Sequence, residues 1–247
     1  MAIEVFNRYE NKYVLDEAAF RSVYDRLLEH MEPDEYNLRH PFYSISNLYF
    51  DTKHDTLVRK SLAKPKYKEK LRLRAYGVPK ENSKAFLELK KKVFGLVNKR
   101  RTALRLEEAY EFVRTSEPPE LRDYMNRQVV SEIHYFLQRY DLAPKAYLAY
   151  DRKALFPIDN RDLRVTFDTN IRHRRTELRL EAGDHGEPLL PPGLWLMEVK
   201  AEKTIPLWLA KLLSEHRMFR TSFSKYGIEY RKYVAAGKMK TEEFIYA

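Results

Sequence analysis

Several segments of this chain put a charged residue at every second position. Lys70, Arg72 and Arg74 alternate with Leu71 and Leu73, Glu88 and Lys90 flank Leu89, and Glu198 and Lys200 flank Val199. Near the start, Arg8, Glu10 and Lys12 alternate with Tyr9 and Asn11. Side chains two residues apart share one face of a β-strand. Each segment is therefore a strand with a row of charge on one side, and for most of them an apolar row on the other. Such strands must form a sheet whose apolar side is covered and whose other side is charged. Arg is prominent among these positions, and Arg is the side chain suited to bidentate phosphate contact. The charged rows together suggest a surface that holds a polyanion.

The rest of the chain supplies the cover. The pattern predicts strands over residues 4–14, 44–51, 67–76, 84–93, 96–105, 145–156, 162–171 and 195–202. Asp16 reads as the N-cap of a helix reaching Met31 and stopped by Pro33, with Phe20, Val23, Tyr24, Leu27 and Leu28 on one face. Further helices are expected over 55–62, 106–114, 120–140, 205–215 and 225–235, and a loop over 181–192. Gly77-Val78-Pro79 and Gly95 punctuate the three central strands as hairpins. Runs of strands followed by runs of helices argue against a doubly wound sheet. The 247 residues are read as a single domain over 1–247.

Composition narrows the chemistry. Lys+Arg number 46 against 36 Asp+Glu, a formal net charge of +10 that favours anionic partners. There is no cysteine, so disulfides, thiolate metal sites and a Cys nucleophile are excluded, and a cytoplasmic address is expected. The chain has 7 Gly and neither a dinucleotide-binding nor a P-loop glycine pattern, so side chains must do any gripping of phosphate. The histidines lack zinc-site spacing. The Tyr49-Phe50 aromatics read as core, and nucleic acid is not the expected partner.

Two arrangements satisfy the charged rows. In an open antiparallel sheet the charged face meets water. In a closed barrel of about eight strands it lines a cavity, where each unneutralised buried ion costs several kcal/mol. A bound polyphosphate with a divalent cation removes that cost. Mg²⁺ or Mn²⁺ is held by one or two carboxylates together with phosphate oxygens. Glu198, Glu88 and Glu10 are available for this, and each is equally suited to pair with a neighbouring Lys.

The motifs Arg8-Tyr9-Glu10-Asn11-Lys12-Tyr13, Ser46-Asn47-Leu48-Tyr49-Phe50-Asp51, Lys70-Leu71-Arg72-Leu73-Arg74, Glu88-Leu89-Lys90 and Lys99-Arg100-Arg101 come in a distinctive order. They are followed by Ala149-Tyr150-Asp151-Arg152, Arg164-Val165-Thr166-Phe167-Asp168, Met197-Glu198-Val199-Lys200 and Ser222-Phe223-Ser224-Lys225-Tyr226. This set resembles the VTC domain, the vacuolar transporter chaperone type of polyphosphate polymerase within the triphosphate tunnel metalloenzymes, over nearly the whole chain. The resemblance implies an α+β fold: a closed antiparallel eight-stranded β-barrel, basic and polar inside, with flanking helices. It implies that Arg72, Arg74, Arg152, Arg164 and Lys200 act on the transferred phosphate. Lys12, Lys90, Lys99, Arg101, Tyr150 and Lys225 would contact other phosphates. Glu198 would be the metal ligand, with Glu88 and Glu10 as the other candidates, for Mn²⁺ or Mg²⁺. The implied partners are ATP and inorganic polyphosphate or pyrophosphate. The related CYTH hydrolases and cyclases start with Glu-x-Glu-x-Lys, whereas this chain has Arg8 in the first place, as in the polymerase branch. An inorganic triphosphatase and a non-catalytic polyphosphate or nucleic-acid binding module are the alternatives.

Overall fold

A computed structural model describes residues 5–94, 96–158 and 162–237, with side chains from residue 9 onward. The strands are β1 (Val5–Leu15), β2 (Met31–Pro33), β3 (Tyr43–Asp51), β4 (Tyr67–Tyr76), β5 (Lys84–Val93), β6 (Leu96–Arg105), β7 (Ala143–Pro157), β8 (Leu163–Arg174), β9 (Glu187–Pro188) and β10 (Trp195–Ala201). The helices are α1 (Glu17–Leu27), α2 (Thr56–Leu62), α3 (Leu106–Thr115), α4 (Arg127–Arg139), α5 (Leu207–Glu215) and α6 (Lys225–Ala235). The expectation of an α+β protein built on a large antiparallel sheet is met. The sheet holds ten strands in the order β2-β7-β3-β4-β5-β6-β1-β10-β8-β9, with an additional pairing between β7 and β8. β2 and β9 are short strands that the sequence pattern did not reveal.

The register brings the charged rows side by side. Arg72 lies opposite Glu88, and Lys70 opposite Lys90. Glu88 lies opposite Arg101, and Lys90 opposite Lys99. Across the sheet, Lys12 faces Glu198 and Glu10 faces Lys200, Lys200 faces Arg164, and Arg152 faces Asp168.

The apolar rows are covered by helices. Leu71, Leu73, Leu87, Leu89 and Leu104 pack with Phe112 and Val113 of α3 and Val129, Ile133 and Phe136 of α4. Tyr13, Leu15, Val165, Phe167, Met197 and Val199 pack with Phe20, Val23 and Leu27 of α1 and Leu209, Leu212 and Leu213 of α5. Each such side chain contributes roughly 1.5–3 kcal/mol by leaving water. A third cluster joins Ile45, Tyr49, Leu148, Tyr150 and Leu196 to Val58 of α2 and Tyr226 and Tyr230 of α6. Ile45, Tyr49, Tyr150 and Leu196 are spaced in twos from the charged positions of their strands, so α6 is seated against the charged side of the sheet.

Some element ends differ from the sequence expectation. Helix α1 begins as read, with the Asp16 carboxylate accepting from Ala19 N at 2.8 Å. It ends at Leu27 because Met31 is claimed by β2, opposite Pro157. Helix α4 starts at Arg127, not near residue 120, because Asn126 caps it by accepting from Val129 N at 3.1 Å. Strand β8 continues to Arg174, where β9 pairs with Arg172 and His173. Among the described residues no helix is long and apolar enough to cross a membrane.

Candidate functional site

The strands β1, β4, β5, β6, β7, β8 and β10, joined by α6, aim their charged side chains at one another. Glu88 on β5 is wholly buried. Its carboxylate accepts from Arg72 Nε and pairs with Arg72 Nη2, both at 2.7 Å, and lies 3.5 Å from Lys99 Nζ. Arg72 also donates to the Tyr49 hydroxyl at 3.1 Å. Arg74 donates to Asn47 Oδ1 at 2.9 Å and to the Tyr150 hydroxyl at 3.0 Å.

A second group forms around Asp168, which is also wholly buried. Arg152 grips it with two bonds of 2.6 and 2.8 Å, and Lys225 of α6 donates to it at 2.6 Å. Helix α6 starts there because the Ser224 hydroxyl caps it, accepting from Gly227 N at 3.2 Å. The same hydroxyl accepts from Lys70 at 3.0 Å. Glu198 completes the group, with Lys200 at 2.6 Å, Lys12 at 3.0 Å and Lys225 at 3.3 Å. Lys12 is shared with Glu10 at 2.9 Å, and Glu10 also meets Lys90 at 3.3 Å.

Toward the Tyr43 end of β3, Arg164 donates to the Tyr43 hydroxyl at 3.3 Å, and the Arg101 guanidinium lies 4.9 Å from the Phe86 ring centroid. All of the residues singled out from sequence for phosphate or metal thus lie on this one side of the sheet. Arg8 lies on β1 opposite Val97, and its side chain is outside the described residues.

The electrostatics follow from burial and from cation crowding. Burial opposes the charge on Glu88 and Glu198, but the adjoining Arg and Lys side chains outweigh it and hold both carboxyls well below the usual range. Glu10 is lowered for the same reason, chiefly by Lys12 and Lys90 against burial. The cations carry the opposite burden. Burial, reinforced by Lys90, Lys68, Lys12 and Arg72, brings Lys70 down to about 7. Burial brings Lys99 down to about 7 despite Glu88 beside it, with Arg74 and Arg72 opposing its charge. Burial alone would raise Tyr150, yet Arg74, Arg152 and Lys225 bring it to about 8. Lys12 and Lys225, beside carboxylates, are held charged, but where Lys70 and Lys99 are pushed toward neutrality and the Tyr150 phenol toward ionisation, the site lacks negative charge. An incoming polyanion supplies it.

Each carboxylate here already meets at least two cations, and the cations named above outnumber the carboxylates more than two to one. Among the described residues no cluster of three or more His, Cys, Asp or Glu is placed to hold a metal ion. The carboxylates that come nearest to a shared cation position are Glu10 and Glu198, which hold the Lys12 ammonium between them.

Sequence reasoning assigned no site role to Asp168, Lys70, Asn47, Tyr49 or Tyr43, although Lys70 stood in a charged row. Asp168 and Lys70 carried a usable signal, since Lys70 stands two residues from Arg72 and Asp168 four from Arg164, each on the same strand face as that Arg. Tyr43 falls just ahead of the expected strand start at 44, so its hydroxyl gave none.

A family profile described as the VTC domain matches residues 7–234. No curated protein matches the sequence. Among solved structures, a Bacillus halodurans protein described as an adenylate cyclase candidate is similar at 15% identity and a TM-score of 0.55, over 90% of this chain and 96% of that chain. A Hippeastrum adenylyl cyclase candidate, reported with a dominant triphosphatase activity, is similar at 17% identity and a TM-score of 0.51, over 95% and 98% of the two chains. At these identities the likeness is one of fold.

Proposed function

The chain belongs to the VTC domain family, and from that premise we propose that it is an ATP-dependent polyphosphate polymerase. The observation that carries this reading is the excess of buried cations over carboxylates on one face, with every carboxylate already neutralised. The β7–β8 pairing supports closure of the eight long strands on themselves, because it joins strands from opposite ends of the linear order. The charged face then becomes the wall of a tunnel, and the polyanion threads it.

In the transfer, a terminal oxygen of the polyphosphate forms a bond to the γ-phosphorus of ATP. The bond from that phosphorus to the β–γ bridging oxygen breaks, and ADP leaves. The attacking oxygen is already anionic, so no strong general base is needed. Phosphoryl transfer depends on positioning and on charge stabilisation. Arg72, Arg74, Arg152, Arg164 and Lys200 supply both, and Asp168 and Glu88 hold Arg152 and Arg72 in place. Lys12, Lys90, Lys99, Arg101 and Lys225 hold the flanking phosphates. The Tyr150 oxygen accepts from Arg74, which leaves its O–H to donate to a phosphate oxygen.

Glu198 with Glu10 fits a divalent metal better than Glu88 does. The pair brings two carboxylates to one shared cation position, now held by the Lys12 ammonium, whereas Glu88 stands alone among Arg72, Arg74 and Lys99. When bound with phosphate oxygens, Mn²⁺ or Mg²⁺ supplies charge neutralisation and Lewis acidity.

The test is purified protein with ATP, Mn²⁺ or Mg²⁺ and a pyrophosphate primer, with products resolved on a gel. Growth of long polyphosphate is expected. Orthophosphate release from tripolyphosphate without chain growth replaces the reading with a triphosphatase, the activity reported for the Hippeastrum protein. Tight polyphosphate binding without either reaction reduces it to a binding module.

A further inference from the structure

At the end of the charged face marked by Arg164, three tyrosines stand together. Tyr36, in the turn before β3, and Tyr76, at the end of β4, are 58% and 46% exposed. Their rings are parallel within 3°, with centroids 6.2 Å apart. Tyr43 lies 5.5 Å from the first and 6.2 Å from the second, tilted against both. Phe86 meets Tyr76 edge-on at 6.0 Å. Large aromatic rings in water forgo most of the burial that usually holds them. Parallel exposed rings offer flat surfaces to a flat ligand.

The surroundings identify that ligand. Tyr43 links the tyrosines to the phosphate-binding wall, because its hydroxyl accepts from Arg164 and donates to Asp34 Oδ2 at 3.0 Å. The buried Nε of Arg164 has no hydrogen-bond partner. Tyr76 shares its face of β4 with Arg74 and Arg72 and stands four residues beyond Arg72, about 13 Å at a strand rise of ~3.3 Å per residue. A triphosphate and a ribose fill that span. The nearby amide of Asn37 is already engaged, accepting from Ala154 N at 2.8 Å and donating to the Arg152 carbonyl at 3.3 Å. It is therefore not available to read a base edge.

We propose that Tyr36 and Tyr76 form a stacking platform for the nucleobase of a nucleoside triphosphate whose phosphates lie on the Arg/Lys wall. The proposal rests on the reading of the wall as the site for ATP. The platform selects a nucleotide over a bare tripolyphosphate. It favours purines over pyrimidines by ring area, and with the Asn37 amide engaged elsewhere it is not expected to distinguish ATP from GTP.

Binding by calorimetry, without turnover, tests this on the full chain with ATP, GTP, UTP and tripolyphosphate. Tyr76→Ala is expected to weaken ATP and GTP roughly five- to a hundredfold and to leave tripolyphosphate unchanged. Tyr36→Ala acts in the same direction and, lying in an exposed turn, avoids any folding defect at β4. Tyr76→Phe is expected to retain ATP affinity. Equal losses for ATP and tripolyphosphate, or no loss for ATP in either Ala variant, overturn the platform, as does wild-type protein that binds ATP no better than tripolyphosphate. Binding that follows the expected pattern without chain growth refutes the polymerase and leaves the platform standing. Chain growth with ATP affinity indifferent to both tyrosines does the reverse.

Discussion

Glu88→Gln separates two roles that sequence alone left open for this residue, metal ligand and buried counter-ion. The substitution keeps the shape and removes the charge. In the native protein the carboxylate is wholly buried, with Arg72 at 2.7 Å and Lys99 at 3.5 Å. Removing one partner of a buried pair leaves uncompensated charge and costs about 3–5 kcal/mol. For a chain of this size each kcal/mol moves the melting temperature by roughly 2–4 °C, so a fall of about 6–20 °C is expected. Gln still accepts one bond from Arg72, which favours the lower end. Tripolyphosphate supplies the missing negative charge, so the rise in Tm on adding it should be larger for Glu88→Gln than for wild type. Thermal unfolding followed by circular dichroism, with and without tripolyphosphate, measures both quantities. If Glu88→Gln unfolds at the wild-type temperature in both conditions but loses metal-dependent turnover, the carboxylate serves a metal and the counter-ion argument is refuted.

Arg72→Ala removes charge-assisted contacts of about 1.5–3 kcal/mol and should lower kcat/KM for ATP roughly ten- to a hundredfold; an unchanged value would take Arg72 off the phosphate path. Glu198→Ala, like removal of Mn²⁺ or Mg²⁺ by EDTA, should abolish turnover while tripolyphosphate binding by calorimetry persists, and loss of both together would contradict the assigned role. Lys70 and Lys99 titrate near 7 in the folded protein but near 10.5 when unfolded, so between those values the unfolded chain binds more protons and stability rises with pH. The Tm of the free protein should therefore be higher at about pH 9 than at pH 7, and the stabilisation by tripolyphosphate smaller, because the site has lost positive charge.

The charged rows were legible in the sequence because strand periodicity is two, and two strongly charged positions around a Leu state their face without ambiguity. Lys70, Arg72 and Arg74 are of this kind, and so are Glu198 and Lys200. What periodicity cannot state is which strand comes to lie beside which. Lys12 meets Glu198 because β1 is inserted between β6 and β10, a placement that no local pattern encodes. Asp168 was visible as an inward-facing residue of β8, but its role depends on Arg152 from β7 and Lys225 from α6, which only the assembled fold supplies. The missed ends have local causes. Asn126 is a good cap that a more inclusive reading of the 120–140 segment ran past. Met31 is apolar at helical spacing, yet backbone pairing with Pro157 outweighs one more turn of helix.

Lys12 from the first strand and Lys225 from the last helix both reach Glu198. During synthesis the carboxylates Asp168 and Glu198 emerge well before Lys225, and until it arrives they share fewer counter-charges than they need to be buried. A nascent chain that stops short of α6 therefore lacks the Lys225 counter-charge that both buried carboxylates use. The ion pairs on Glu198 thus tie the burial of one carboxylate to the arrival of two elements, β1 and α6, far apart in the sequence.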